Sequence, residues 1–305
     1  MDFVQQHIYI SSCDESESLL LLESNKIKAI VSLGHGFTPK YADKQIKYLL
    51  IDIEDNEYEN ALDHFDEGVT FIQKSVSANE NVLIHCVAGV SRSATLVAAY
   101  LMKVNGIGAL EAVDLIRLAR PCVCPNDGFM NQLEIYSRMG CKLNKEGSEY
   151  RRFLLALAAS EQQQLGTLTK LKMTADPTKS LPTQVRSLRC KMCRRTLLPI
   201  DSLIPHESGS GQNAFQYRKR DSAITQLTQT SAPTASKCSS YCTEPMEWME
   251  EVGDGHLEGK ILCPNLKCGS KLGSFSWSGI ACPCGTWVAP AFMINKQKVD
   301  VVGLL

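Results

Sequence analysis

Cys86 and Arg92 stand six positions apart in the stretch CVAGVSRS, and this spacing carries the clearest chemistry in the sequence. A loop between a strand and a helix can turn successive backbone N–H groups inward, and the helix N-terminus adds partial positive charge. Such a loop binds an anion and lowers the pKa of a cysteine at its start. The fork of an arginine on the same rim can hold two phosphate oxygens. The pattern favours attack of Cys86 on phosphorus, giving a cysteinyl-phosphate that water then hydrolyses.

The backbone of this loop is the predicted anion cradle. Gly89 lets the chain pass close to a bound anion, because glycine has no side chain to obstruct it. Ser93 has two compatible roles, since its hydroxyl can donate to the sulfur as the sulfur leaves and can also cap the following helix. The residues expected to surround the phosphate are Val87, Ala88, Gly89, Val90, Ser91 and Arg92.

An acid must protonate the leaving oxygen in this reaction. The sequence offers neighbouring carboxylates where a predicted strand, residues 46–53, runs into an acidic loop before a helix. Asp55 is the preferred general acid, and Asp52 and Glu54 are its rivals. Position along the chain does not by itself separate these three carboxylates.

The C-terminal part of the chain is rich in cysteine: eight of the 13 cysteines lie between residues 190 and 284. Thiolates a few residues apart on a turn can fill two corners of a tetrahedral zinc site, and two such sites need about eight ligands. One all-cysteine set lies within 22 residues and comprises Cys263, Cys268, Cys282 and Cys284. Cys190 and Cys193 need two further ligands, and the available side chains are Cys238, Cys242 and His206.

Alternating apolar patterns in the first half predict the elements that would position the Cys86 loop. Residues 26–33, 46–53 and 81–85 are typical of buried strands. Residues 62–76, 93–105, 110–118 and 129–139 are typical of helices. Strands that alternate with helices predict an α/β fold with a central, mostly parallel sheet flanked by helices. Residues 149–165 predict a further helix, either exposed or bridging.

Length and charge distribution indicate two domains in the 305 residues. Residues 1–183 contain 18 Lys/Arg and 23 Asp/Glu, whereas residues 184–305 contain 14 and 10. We predict a catalytic domain over residues 1–145, a helix and linker over 146–183, and a small zinc-stabilised, β-rich domain over 184–305. A polar loop is expected at about residues 207–237 inside the last of these.

The composition favours a soluble, intracellular protein. The N-terminus has neither the basic start nor the apolar core of a signal peptide, and no apolar run approaches the roughly 18 residues that a bilayer span needs. Clustered cysteines in a reducing compartment indicate metal binding or catalysis more often than disulfides. The net charge of −1 argues against a general polyanion binder, and we expect no membrane partner.

Cations are concentrated around the first cysteine pair. They can form a solvated rim around negatively charged zinc thiolates, or they can contact a phosphate backbone such as that of RNA. The sequence leaves both interpretations open for Arg186, Arg189, Lys191, Arg194 and Arg195.

The stretch HCVAGVSRSATLVAAYLM resembles the signature of the dual-specificity protein phosphatases, a branch of the cysteine phosphatase superfamily. The later segment RPCVCPNDGF, continued by Gln132 and Leu133, resembles the family segment that supports the catalytic loop from behind. The family's acid lies just past a strand upstream of the cysteine, which implies Asp55. The resemblance, over about residues 3–140, implies a cysteine-phosphatase fold, phosphoprotein substrates and catalysis without a cofactor. Small neutral residues at positions 87, 88 and 90 differ from the lysines usual in phosphoinositide phosphatases and favour a shallow site for phosphotyrosine and phosphoserine/threonine.

The segments RCKMCRR, IPHESG, EPMEWM and CPNLKCGSKLGSFSW resemble the zinc-binding domain fused to one subfamily of these phosphatases, which is tied to maturation of the large ribosomal subunit. The resemblance implies about two structural zinc ions. It implies a first site made of Cys190, Cys193, His206 and Cys238, with Cys242 as the alternative fourth ligand. It also implies pre-ribosomal large-subunit particles as partners and a cytoplasmic and nuclear location. The alternative function is ribosome assembly mainly through the zinc domain, with the phosphatase activity dispensable.

Overall fold

A computed structural model describes residues 1–165, 173–180, 185–206 and 238–303 of the chain. The chain divides into two compact units, Met1–Lys145 and Glu146–Leu305. Each unit has its own hydrophobic core and its own sheets.

The first unit is built on a five-stranded sheet in the order β1-β2-β5-β3-β4. The β1–β2 pair is antiparallel, and β2–β5, β5–β3 and β3–β4 are parallel, so the predicted mostly parallel sheet is confirmed. The sequence analysis did not predict the two N-terminal strands. The strands are β1 (Asp2–Gln5), β2 (Ile8–Ser11), β3 (Ile27–Leu33), β4 (Lys47–Ile51) and β5 (Asn81–His85).

Six α-helices are described in the first unit. The helix that follows β5 is buried over residues 92–102 because its Ala/Leu-rich sequence is apolar on every side, and it ends at Gly106, whose φ is 68°. The helices are α1 (Cys13–Ser16), α2 (Leu19–Ser24), α3 (Phe65–Ser77), α4 (Arg92–Asn105), α5 (Ala109–Ala119) and α6 (Asp127–Arg138). Two 3-10 turns, Ala42–Lys44 and Ala61–His64, complete the unit.

The end of β4 differs from the prediction in a way that matters for the site. The strand stops at Ile51, not at residue 53, because the Ile51 carbonyl accepts the last bond to β3, from the N–H of Gly34 at 2.9 Å. Asp52 therefore lies outside the strand, at the start of the loop that leads to α3. We call residues 52–60 the acid loop.

The second unit is β-rich, as predicted. A five-stranded antiparallel sheet has the order β10-β11-β14-β9-β8, a three-stranded sheet has the order β15-β6-β7, and β12 pairs with β13. The strands are β6 (Ser187–Cys190), β7 (Thr196–Pro199), β8 (Leu203–Ile204), β9 (Ser240–Thr243), β10 (Glu258–Leu262), β11 (Lys271–Ser276), β12 (Ile280–Ala281), β13 (Trp287–Val288), β14 (Ala291–Asn295) and β15 (Val299–Val302).

The helix α7 (Ser148–Leu165) belongs to this second unit and is mostly buried between Phe153 and Ser160, so of the two predicted alternatives, exposed or bridging, the exposed one is wrong. The Nε of Arg151 donates to the carboxylate of Glu244 at 2.7 Å, and this contact ties the helix to the end of β9. Part of the predicted linker is also ordered, since α8 (Pro177–Ser180) follows a bridge between residues 174 and 246. The predicted polar loop at 207–237 lies outside the described residues.

Within the described ranges no single helix is long and apolar enough to cross a bilayer. The one pair that reaches the required length and hydropathy together, α4 and α5, is bent by 116° at its break.

Candidate active site and candidate metal centres

The Cys86 loop joins β5 to α4, as the sequence predicts. Cys86 directly follows the strand, and Arg92 is the first residue of the helix. Gly89 adopts a φ of 69°, and a Cβ at this position would lie 2.4 Å from the carbonyl oxygen of Ser11. Only glycine fits this turn without displacing β2, which explains the residue at the centre of the loop.

Four consecutive carbonyl groups of the loop are bonded to donors outside it. These bonds turn the carbonyl oxygens outward, so the N–H groups of the loop are free to face an anion and join the helix N-terminus in stabilising it. The Val87 oxygen accepts from Cys13 N–H at 3.0 Å, Ala88 from Arg120 Nη2 at 3.1 Å, Gly89 from Arg120 Nε at 2.9 Å, and Val90 from Cys124 N–H at 3.0 Å.

Arg120 is the side chain that supports this arrangement. Besides its bonds to the loop carbonyls, its Nη1 lies 2.6 Å from the carboxylate of Asp2 and 3.4 Å from that of Glu15. The sequence analysis identified the segment that begins at Arg120 as support for the loop but did not identify its two acidic partners. Those partners come from β1 and α1, which are close to Arg120 only in the folded chain.

The thiol of Cys86 is buried and held by donors from the loop. Its Sγ lies 3.3 Å from the hydroxyl oxygen of Ser93 and accepts a hydrogen bond from the N–H of Gly89 at 3.2 Å. Burial by itself raises the pKa of the Cys86 thiol, but hydrogen bonds from the Ser93 side chain and from the backbone of Ser93, Val90 and Gly89 outweigh burial and lower it below its usual value. The result is a thiolate-favouring site, as a nucleophile requires.

Replacing Ser93 by alanine is expected to raise the pKa of Cys86, because the hydroxyl donates to the thiolate and lowers that pKa in the wild type. The thiolate then forms only at higher pH, and alkylation of Cys86 by iodoacetamide becomes slower near neutral pH. We expect the midpoint of the rate–pH profile to rise by about one unit. Mass spectrometry of the Cys86 peptide measures the extent of alkylation at each pH.

Thr95→Ala is the matched control for this variant. Thr95 is also buried in the first turn of α4, but its hydroxyl donates to the Ser91 carbonyl at 2.9 Å and does not contact the sulfur. An unchanged midpoint in Ser93→Ala, or an equal rise in both variants, would show that the hydroxyl does not set the pKa of Cys86.

Arg92 lines the cleft at the Cys86 loop, and not all of its N–H donors are used within the protein. Its Nη1 donates to the carbonyl oxygen of Ile53 at 3.2 Å, which fixes the guanidinium against the acid loop. Its Nε is buried, has no hydrogen-bond partner in the described ranges, and lies 3.6 Å from the Asp55 carboxylate. A buried donor without a partner carries a desolvation cost, and a bound phosphate oxygen would satisfy it.

Asp55 is the one predicted carboxylate that contacts the Cys86 loop. Its Oδ1 accepts from the hydroxyl of Ser91 at 2.7 Å and from the amide of Asn126 at 3.0 Å. The rivals Asp52 and Glu54 instead form ion pairs with His35, in the latter case at 3.4 Å. The folded chain therefore separates three carboxylates that the sequence could not separate.

The N-terminal half of α6 supports the acid loop. Gln132 accepts a hydrogen bond from the N–H of Leu62 and donates one to the carbonyl of Glu59, both at 2.8 Å. Gly128 lies so close to the loop that a Cβ there would be 2.0 Å from the Glu57 carbonyl oxygen. Sequence reasoning did not assign a role to these residues or to Asn126, although they lie in the segment whose resemblance to the family was noted.

His85 precedes the nucleophile but is not placed to exchange protons with a substrate. Its Nε2 lies 2.7 Å from the hydroxyl oxygen of Ser32, and its ring packs edge-on against Phe37 with centroids 4.9 Å apart. Burial lowers the pKa of His85 to about 4, so the ring is neutral near pH 7. Its role is to anchor the end of β5.

In the second unit, the eight predicted ligands fall into two groups, in each of which the ligand atoms lie within 4.8 Å of one another. Their division into pairs differs from the prediction. Cluster A consists of Cys190, Cys193, Cys263 and Cys268. Cluster B consists of His206, Cys238, Cys282 and Cys284.

The predicted all-cysteine set of residues 263, 268, 282 and 284 was therefore wrong, and so was the set of 190, 193, 206 and 238. The physical reason is strand β11, which runs between Cys268 and Cys282. A six-residue strand spans about 20 Å, so the two cysteine pairs lie at opposite ends of it despite their proximity in sequence. Each pair instead meets a pair from the earlier part of the domain, and the two clusters are interleaved along the chain.

The donor set of cluster A has the spacing of a tetrahedral metal site, and cluster B brings its donors closer together, with the Cys282 Sγ 3.1 Å from the Cys238 Sγ and 3.3 Å from the His206 Nε2. A Zn–S bond of about 2.3 Å gives a tetrahedral S···S separation of about 3.8 Å. In cluster A the Sγ atoms of Cys190 and Cys268 are 3.9 Å apart, and those of Cys193 and Cys263 are 3.5 Å apart. Cys242, the alternative fourth ligand, is buried within β9 and belongs to neither cluster.

Two of the cations around the first cysteine pair have carboxylate partners. Arg194 pairs with Asp300, and Arg195 pairs with Asp176 at 2.6 Å. These pairs reduce the positive charge of the stretch, and they link the β6–β7 turn to β15 and to the segment before α8.

Residues 8–139 match the catalytic domain of the dual specificity phosphatases. Dual specificity protein phosphatase 12 of Mus musculus is 36% identical over 263 residues, which are 85% of this chain and 76% of the mouse protein. Tyrosine-protein phosphatase yvh1 of Schizosaccharomyces pombe is 33% identical over 300 residues, which are 98% of this chain and 84% of the yeast protein.

Among solved structures, the Yvh1 phosphatase domain from Chaetomium thermophilum is 31% identical, with a TM-score of 0.42, and covers 46% of this chain and 95% of its own. The loop geometry around Cys86 and the relatives that match along most of the chain lead to one conclusion. The chain belongs to the dual-specificity protein phosphatases, in the subfamily of the Yvh1 proteins, and it is a protein phosphatase.

Proposed function

We propose that residues 1–145 hydrolyse phosphotyrosine and phosphoserine/threonine in proteins through a cysteinyl-phosphate. The Cys86 thiolate attacks phosphorus, the bond from phosphorus to the leaving oxygen breaks, and Asp55 gives that oxygen its proton. Asp55 then takes a proton from water as water attacks the phosphocysteine. The bond from phosphorus to sulfur breaks, inorganic phosphate leaves, and the hydroxyl of Ser93 stabilises the departing thiolate.

The outward-turned carbonyl groups of residues 87–90 are the observation that carries this proposal. They leave the loop N–H groups and the guanidinium of Arg92 to stabilise charge on the phosphoryl oxygens, with no cofactor needed for the chemistry. An open cleft of about 620 Å³ leads to the loop and is consistent with more than one kind of phosphorylated side chain.

The second part of the proposal concerns the metal. We propose that cluster A and cluster B each hold one structural Zn²⁺, because a thiolate-rich tetrahedral donor set selects zinc over harder cations. The bound ions would supply folding free energy to a domain whose sheets are short. Their role is structural, and no catalytic step passes through them.

We further propose that the zinc-binding domain, residues 184–305, recruits the enzyme to pre-ribosomal large-subunit particles in the cytoplasm and nucleus. The resemblance of its cysteine segments to the ribosome-linked subfamily supports this assignment. Arg186, Arg189 and Lys191 have no carboxylate partner among the residues that the structure describes, and they are the cations proposed to contact RNA. The competing proposal is that this recruitment is the essential role of the protein and that its phosphatase activity is dispensable.

Co-sedimentation from cell extract tests recruitment. We expect full-length protein and Cys86→Ser to travel with large-subunit precursors on a gradient, and a 1–145 truncation to stay at the top. The truncation ends at residue 145 because α7 is buried in the second unit, so a longer fragment would expose its apolar face. Absence of all three from the precursor fractions would contradict the ribosomal proposal, and loss of Cys86→Ser alone would show that recruitment needs catalysis.

A further inference from the structure

The chain around the active-site cleft has an unusual charge distribution. Between Lys47 and Lys74 there is no lysine or arginine, whereas there are eight aspartates and glutamates. Two of these carboxylates, far along the segment, have cationic partners: Asp63 lies 2.6 Å from Lys145, and Asp66 lies 3.7 Å from Lys103. Within the described part of the chain, the acid loop has no lysine or arginine ion pair apart from the contact between Asp55 and Arg92.

Three carboxylates of the acid loop line the active-site cleft, and Asp55 is the one that contacts the Cys86 loop. Glu54 and Glu57 share the lining with Tyr58 and with Val87, whose side chain is exposed. Glu57 has no ion pair or side-chain hydrogen bond among the described residues, and Glu54 has only His35, which it shares with Asp52. The lining therefore has more negative charge than the imidazole of His35 can offset.

The backbone of the acid loop at these two glutamates contacts the rest of the domain. The backbone at Glu57 lies against Gly128 of α6, and the N–H of Glu54 donates to the carboxylate of Glu59 at 3.3 Å. These contacts anchor the backbone of the loop, so the exposed side chains of Glu54 and Glu57 stay at the edge of the cleft.

The bottom of the cleft has the opposite character. Arg92 lines the cleft and is only 9% exposed, and its Nε has no hydrogen-bond partner among the described residues, so an anionic ligand would satisfy it. The loop and Arg92 would thus neutralise the phosphoryl group of a substrate. Any further charge on the substrate would lie next to the carboxylates of Glu54 and Glu57.

We propose that Glu54 and Glu57 form an acidic wall that selects phosphoprotein segments with lysine or arginine next to the phosphorylated residue. The two carboxylates attract a flanking cation, and the ring of Tyr58 in the same lining offers it a cation–π contact. Flanking glutamates or a second phosphate are repelled by the same charges. This inference rests on the proposed hydrolysis at Cys86 and specifies the substrate class of that site.

Two phosphotyrosine peptides that differ only in their flanking residues, arginine in one and glutamate in the other, measure the preference. We expect the full-length enzyme to have about a ten-fold higher kcat/KM for the arginine peptide at low salt, mostly through KM. The double variant Glu54→Gln/Glu57→Gln should bring the ratio close to one. High salt should reduce the wild-type ratio, since exposed charges are screened.

Glu111→Gln/Glu134→Gln is the matched control, because it removes the same charge from exposed positions on α5 and α6 that do not line this cleft. It should keep the wild-type ratio. A wild-type preference for the glutamate peptide, or a ratio that is equal in the two double variants, would overturn the acidic wall.

Hydrolysis of a small aryl phosphate, which has no flanking residues, distinguishes failure of the acidic wall from failure of the Cys86 mechanism on which it rests. If the wild type does not hydrolyse that compound, the Cys86 mechanism fails. If it does, and the peptide ratio is near one, only the acidic wall fails. The dissociation constants of the two peptides from Cys86→Ser measure the same preference without turnover, so slow hydrolysis of the peptides does not obscure the result.

Discussion

Cys86→Ser is expected to lower kcat for a phosphotyrosine peptide by at least about a thousand-fold. The lowered pKa of the Cys86 thiol depends on hydrogen bonds to a thiolate, and a serine hydroxyl does not ionise under the same conditions. The substitution is small and the loop carbonyls keep their partners, so the folded state and peptide binding should persist. Phosphate release measures the first expectation, and a binding assay measures the second.

Asp55→Asn extends this prediction to the proton transfer that accompanies attack by Cys86. We expect kcat for a phosphoserine peptide to fall by about 10²- to 10³-fold, because an alkoxide leaving group needs a proton. The first-turnover release of nitrophenolate from p-nitrophenyl phosphate should fall much less, since nitrophenolate leaves without a proton; the later hydrolysis of the phosphocysteine still loses its base.

Asp52→Asn is the control for the acid, because Asp52 pairs with His35 and not with the Cys86 loop. A larger loss of kcat in Asp52→Asn than in Asp55→Asn would show that Asp52, and not Asp55, is the general acid. Wild-type turnover in Cys86→Ser would rule out the covalent mechanism altogether.

The second large effect concerns the interleaved metal clusters. Cys193→Ser/Cys263→Ser removes two ligands from cluster A and leaves cluster B complete. Cys263→Ser/Cys282→Ser removes one ligand from each cluster. Elemental analysis of purified, reduced protein should find about two zinc ions in the wild type, about one in the first variant and close to none in the second.

The two ligand sets inferred from the sequence predict the opposite zinc contents. In those sets Cys193 and Cys263 belong to different sites, whereas Cys263 and Cys282 share one. Each variant loses the same number of cysteines, so a general loss of thiols cannot produce the difference. A zinc-finger site contributes on the order of 10 kcal/mol to folding, and loss of both ions should unfold the second unit. Near-ultraviolet circular dichroism is a suitable probe, because Trp277 is packed edge-on against Phe292 with centroids 5.4 Å apart. One zinc retained by Cys263→Ser/Cys282→Ser and none by the other would contradict the interleaved clusters.

The sequence alone determined the features whose parts are contiguous. The Cys86 loop, Arg92 and the helix that follows lie within a single strand–loop–helix unit, so the order of residue types along the chain is enough to predict their geometry. Buried strands and helices of the first unit were predictable for the same reason, since the periodicity of apolar residues reports local structure. The identities of the eight candidate metal ligands were predictable because few other roles account for so many clustered thiols.

Only the tertiary structure decided how distant segments meet. Which acid serves Cys86 depends on α6, where Asn126 lies 71 positions after Asp55 and donates to it at 3.0 Å. Which cysteines share a metal depends on the direction of β11, which carries residues 268 and 282 to opposite ends. The support of the loop by Arg120 depends on carboxylates from the first 15 residues of the chain. Contacts of this kind follow from strand order and helix packing, and neither is encoded in the spacing of neighbouring residues.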